Sequence, residues 1–138
     1  FCKHKERDTY EVPGGHREAG EDILETAKRE LQEETGAIQF DIKPICVYSV
    51  TGKNSVNETG EETFGLLCFA EITEFSGQLE SEIEKVELMD ELPQNWTYPL
   101  IQPKLIEKYL QIEKQSYSRI HLVVKQTIEY IKKLSSRE

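Results

Sequence analysis

A helix that ends in glycine and carries a cluster of carboxylates constrains this chain more than any other feature. Pro13-Gly14-Gly15 breaks an extended pattern and opens a loop. From Asp22 to Thr35 the spacing is helical, with Ile23, Leu24, Ala27 and Leu31 on one face, and Gly36 supplies the stop. At 100° per residue, Glu30, Glu33 and Glu34 fall within an arc about 100° wide beside that apolar face. The helix can therefore bury one side and present three acids next to it. Two like charges at about 4 Å repel by roughly 4 kcal/mol at an effective dielectric of 20. Arg29 offsets part of this, but one Arg cannot neutralise three carboxylates. Hard oxygen ligands, with no Cys or His among them, favour Mg²⁺ (or Mn²⁺ in its place) over zinc. The bare Gly14-Gly15 turn lets a backbone carbonyl approach such an ion.

The remaining elements read as follows. Residues 1–12 hold a short strand, a polar turn at Lys5–Asp8 and a second strand entry at Thr9–Val12. Ile42–Val50 and Thr63–Ile72 are rich in β-formers and read as strands joined by a polar hairpin loop, with a shorter strand at Lys85–Leu88. Pro93, Pro99 and Pro103 punctuate an irregular stretch, after which 104–114 and 119–134 read as two helices. Strands, one early helix and late helices give an α+β or α/β/α layered domain.

A length of 138 residues suits a single core. Hydrophobic residues at 37% and charged residues at 31% describe a soluble globular chain rather than a disordered one. No run approaches the roughly 20 apolar residues of a membrane span, so no membrane partner is expected. The net charge of −9 argues against nonspecific nucleic-acid binding; a polyphosphate would have to be attracted by bound cations instead. Cys2, Cys46 and Cys68 are odd in number and form no CxxC pair, which fits a reducing, cytoplasmic setting. The chain opens at Phe1, without Met and in what reads as mid-strand, so further residues are expected ahead of it.

Taken alone, a Glu-rich helix face is ordinarily a solvated surface. The whole pattern from Gly15 to Gly36 says more: it resembles the Nudix box, G-x5-E-x7-R-E-U-x-E-E-x-G-U with U aliphatic. Gly15, Glu21, Arg29, Glu30, Glu33, Glu34 and Gly36 occupy all of its fixed positions, and Leu31 its first aliphatic one. Ala37 stands at the last, a mild departure. From the chain's own residue frequencies a chance match is on the order of one in a hundred thousand, so the solvated-face reading gives way.

The resemblance implies a Nudix-type α/β/α sandwich with a mixed sheet, a catalytic loop–helix–loop and an extra C-terminal helix. It spans residues 1–115, with 116–138 as a helical extension that either covers the core or makes a homodimer contact. It implies Glu33 and Glu34 as metal ligands and Glu30 as general base or ligand, held by Arg29. Gly15 would offer its carbonyl, with Gly14, Glu21 and Gly36 shaping the motif. The family usually adds a Glu from outside the box; Glu82 is the candidate, with Glu80, Glu61 and Glu62 behind it. His16 can touch a phosphate, although a surface role suits it equally. Asn95, Trp96 or Tyr98 can meet a base, although packing around a Pro-rich turn also explains the aromatics.

Beyond the box, Glu11–His16, Tyr48–Val50, Phe64-Gly65, Ser81–Ile83 and Thr97–Pro99 look like the MutT-like bacterial branch of that family. The implied reaction is Mg²⁺-dependent hydrolysis of a nucleoside triphosphate, 8-oxo-dGTP included, to monophosphate and pyrophosphate. The alternatives are a pyrophosphohydrolase of RNA 5′ ends or dinucleotides, and a nucleotide-binding module without catalysis. One departure bears on base choice. The Asn that MutT places two residues before the Pro of its terminal helix is replaced here by Ile101, followed by Gln102.

Overall fold

The structure, a computed structural model, describes residues 1–54, 57–79 and 82–135, and their side chains except those at 121–123 and 127–135. Its elements are β1 (Cys2–His4), β2 (Tyr10–Glu11), α1 (Ile23–Thr35), β3 (Ala37–Val50), β4 (Thr63–Phe75), β5 (Ile83–Val86) and α2 (Gln102–Ser135). The chain forms two compact units, Phe1–Gln102 and Pro103–Glu138.

In the first unit, β2, β1 and β5 form an antiparallel sheet in that order, and β3 and β4 form a long antiparallel hairpin. A parallel bridge between Tyr10 and Trp96 gives the strand pairing a mixed character. Phe1 extends the β1–β5 ladder, exchanging bonds of 2.9 Å with Glu87 through its amino group and its carbonyl. The ladder of β3 and β4 shifts register between Pro44 and Cys46, as expected where a proline has no N–H to give. Opposite Tyr48 stands Gly65, and a Cβ there would collide with the Tyr48 ring.

Helix α1 packs against β3, β4 and β5. Asp22 caps it, accepting from Leu24 N at 2.9 Å, and Gly36 ends it in the left-handed region at φ 71°. The Gly36 carbonyl accepts from Ser76 N at 2.7 Å, which ties the helix end to the segment after β4. A Cβ at Gly36 would stand 2.6 Å from the Gln78 carbonyl, so close approach demands glycine there as firmly as φ does. Of the apolar stripe, Leu31 is buried and Ile23 is exposed; the deep positions are Thr26, Leu31, Glu34 and Thr35. The helix thus beds on its C-terminal half, where Cys2 Sγ reaches the Glu34 carbonyl at 3.4 Å. Cys2, Leu31, Ala37 and Ile83 form the buried apolar centre.

The second unit is helical. Two helices were expected, yet α2 runs unbroken from Gln102 to Ser135. Gln115–Ser118 is polar but holds no Gly or Pro, and Ser118 Oγ donates back to the Lys114 carbonyl at 2.9 Å, so the helix continues. Leu110, Tyr117, Ile120 and Val124 are exposed along it. Among the described residues no helix is long and apolar enough to cross a membrane. The α+β architecture, with small mixed sheets and a C-terminal helix, is the one expected.

Candidate functional site

Arg29 organises one side of α1. Its Nε and Nη2 donate to the two oxygens of Glu21 at 2.9 and 3.1 Å, a bidentate fork. Its Nη1 donates to Glu30 Oε1 at 2.8 Å and to Glu33 Oε2 at 3.1 Å. Glu21 also accepts from Thr26 Oγ1 at 2.7 Å and Glu18 N at 3.1 Å, so it ties the loop to the helix. Arg29, then Thr26 and the Glu18 amide, pull the Glu21 carboxyl down to about 2. In return Glu21 foremost, with Glu30, pushes the Arg29 guanidinium well above its usual range. Gly15 lies directly against the Glu30 carboxylate, where a Cβ would collide with it. Loop and helix therefore converge at Gly15 and Glu30, and Arg29 ties Glu33 to the same group. Gly14 takes part through its N–H, which donates to Glu34 Oε2 at 2.9 Å.

Glu34 occupies the other side and is 8% exposed. Burial, and then the charges of Glu11, Glu30 and Glu82, push its carboxyl up to about 7 against the pull of the Gly14 N–H. Two strand residues join it: His4 Nε2 lies 2.7 Å from Glu11 Oε1, and donor atoms of His4, Glu11 and Glu34 all lie within 4.8 Å of one another. Cys2 stands beside them, and burial followed by the Glu34 charge pushes its thiol up to about 12, so it stays protonated. A cleft of about 420 Å³ is lined by His4, Lys5, Glu6, Arg7 and Glu82. Glu82 is exposed, and its carbonyl accepts from Lys5 N at 3.0 Å, which fixes the residue at the cleft just before β5. Glu61 and Glu62 lie exposed ahead of β4, and Glu80 lies outside the described residues.

The remaining candidates sit elsewhere. His16 is exposed and its carbonyl accepts from Arg29 Nη2 at 3.2 Å. Asn95 braces the β1–β2 turn: its carbonyl accepts from Tyr10 N at 2.9 Å and its amide donates to the Asp8 carbonyl. Trp96 meets Phe1 edge-on, with ring centroids 5.5 Å apart. The Tyr98 hydroxyl bonds to Arg7 and raises its guanidinium pKa. Gln102 Oε1 accepts from Val12 N at 3.0 Å. His121 belongs to the side chains outside those described.

Sequence reasoning missed His4 and Glu11. A Glu on a strand just ahead of Pro13-Gly14-Gly15 was the one available signal; nothing local marked His4, which meets Glu11 only through strand pairing. The donor set suits a divalent cation. Arg29 is committed to Glu21, Glu30 and Glu33, and no Lys or Arg among the described residues pairs with the buried Glu34.

Residues 1–109 match the family model described as NUDIX domain. A Bacillus subtilis (strain 168) protein named "Putative 8-oxo-dGTP diphosphatase YtkD" is 36% identical over 96 residues, 69% of this chain. The chain spans 56% of that relative's length. No solved structure matches the chain.

Proposed function

The chain belongs to the Nudix family, and from that premise we propose that it is a divalent-cation-dependent hydrolase of nucleoside triphosphates, releasing nucleoside monophosphate and pyrophosphate. The observation that carries this reading is the contact of Gly15 with the Glu30 carboxylate and the joining of Glu30 to Glu33 by Arg29, with buried Glu34 on the same helix. Glu33 and Glu34 are assigned as ligands, joined by the Gly15 carbonyl, and Glu82 as a further ligand from across the cleft. Bound Mg²⁺ would neutralise phosphate charge and acidify a water for in-line attack on phosphorus. Arg29 engages Glu30 Oε1, so Oε2 remains to take the proton of that water. Glu21 fixes the orientation of Arg29 through its two-point contact with Nε and Nη2. The domain is assigned to residues 1–115, with 116–138 as its helical extension.

An oxidised purine such as 8-oxo-dGTP heads the substrate series, a choice supported by the name of the Bacillus relative. The experiment is a panel of 8-oxo-dGTP, dGTP, ATP, a dinucleoside polyphosphate and 5′-triphosphorylated RNA, assayed with Mg²⁺ for phosphate and for pyrophosphate. Pyrophosphate from a free triphosphate is the expected product. Turnover confined to RNA or the dinucleotide would replace the substrate, and no turnover at all would replace the reaction.

A further inference from the structure

Beside the carboxylates of α1, the three-stranded sheet gathers a group that the proposed reaction does not use. Side chains alternate faces along a strand, and directly paired residues of neighbouring strands share a face. Cys2 pairs with Glu11, and His4 follows Cys2 by two positions, so these three share one face. Cys2 bonds to the Glu34 carbonyl, which identifies that face as the one against α1. Glu11 and Glu34 are both more than nine-tenths buried, at 5% and 8% exposure. Glu34 Oε2 accepts from Gly14, whereas Oε1 takes no hydrogen bond among the described residues. His4 lines the cleft, so the group opens to solvent at its imidazole.

Distances decide whether an ion fits. Ligands held about 2.0–2.1 Å from a small cation stand about 3 Å apart when adjacent and about 4 Å apart when opposite. The His4–Glu11 separation of 2.7 Å matches an adjacent pair, and the 4.8 Å limit on the group needs a contraction of less than about 1 Å.

We propose that His4 and Glu11 join Glu34 in a mixed nitrogen–oxygen site for a divalent transition cation. This rests on the reading of Glu34 as a cation ligand and adds a preference to it. Carboxylates alone suit Mg²⁺ and Mn²⁺, whereas an imidazole moves the order toward Co²⁺ and Zn²⁺. Arg7 Nη1, 3.4 Å from Glu11 Oε2, steadies the strand carboxylate from its far side.

The test uses the full chain stripped with chelator, then titrated separately with Co²⁺ and with Mg²⁺ by calorimetry. Wild type should bind Co²⁺ the tighter, and His4→Gln should lose about 10- to 100-fold in Co²⁺ affinity while binding Mg²⁺ nearly as before. A second reading needs no variant: Zn²⁺ should shift the ring ¹⁵N resonances of His4 in the wild-type protein and leave those of His16 in place. Unchanged Co²⁺ affinity in a folded His4→Gln, or still His4 resonances, would mean that His4 and Glu11 form a closed hydrogen-bonded pair, and the proposal fails. If Mg²⁺ binds and triphosphates are hydrolysed in that case, only the imidazole ligand is lost. If neither cation binds wild type, the reading of Glu34 falls as well.

Discussion

The two sides of α1 meet the same difficulty, clustered negative charge, by opposite means. On one side Glu21, Glu30 and Glu33 share the guanidinium of Arg29, and every partner comes from the thirteen residues between Glu21 and Glu33. On the other, Glu34 is buried among Glu11, Glu30 and Glu82, with His4 alongside, and three of those partners come from distant strands and their edges. The first side divides one guanidinium among its three carboxylates, which offsets part of their charge and holds their geometry. The second keeps an unneutralised carboxylate, which is the condition that makes a cation welcome.

The largest effect expected from this contrast concerns turnover. Glu33→Gln and Glu34→Gln should each lower kcat by orders of magnitude while circular dichroism shows the fold intact. Near-normal rates in both variants would move the chemistry off this helix. Next comes Glu82, whose charge already acts on Glu34. Glu82→Gln should cut turnover about tenfold and flatten the Mg²⁺ dependence, an effect in the range seen when a metal's supporting group is removed. A silent Glu82→Gln beside an impaired Glu61→Gln or Glu62→Gln would hand the role to that residue.

Stability against pH separates the two sides by sign. Glu21 is held at about 2 in the folded chain, below its unfolded value, so its contribution is full above about pH 4.5 and is lost as pH falls toward 2. Glu34 is raised to about 7, so the folded state holds an extra proton between about 4.5 and 7 and loses stability as pH rises through that window. In EDTA, the wild-type Tm should therefore fall by several degrees from pH 5 to 7.5, and Glu34→Gln should remove most of that slope. Equal slopes in the two proteins would assign the loss to another group. The smallest effect is at the helix end: Gly36→Ala should cost about 1–2 kcal/mol for the left-handed backbone alone, read by urea denaturation, with the Gln78 contact adding to it.

What could be read in advance follows the same division. Periodicity placed α1 from Asp22 to Thr35, and fixed spacing identified Gly15, Glu21, Arg29, Glu30, Glu33 and Glu34, because their relations lie within a few helical turns. Glu82 was reached from a short motif, and the strand pairing of His4 with Ile83 explains why it belongs at the cleft. His4 and Glu11 were not legible as a pair, since a two- to three-residue strand carries too little pattern to fix its register. The exposure of Ile23 and the burial of Thr26 were hidden for a related reason: a helix's apolar stripe does not say how far along its length the sheet extends. The continuous α2 was read as two helices because polarity at Gln115–Ser118 suggested a break that only Gly or Pro would have enforced.

The most direct test of the central claim is pyrophosphate release from a nucleoside triphosphate by the full chain, measured in excess EDTA and again after Mg²⁺ is restored. Turnover should be abolished by the chelator and recovered on adding Mg²⁺. Undiminished pyrophosphate release in EDTA would rule out a cation-dependent hydrolysis.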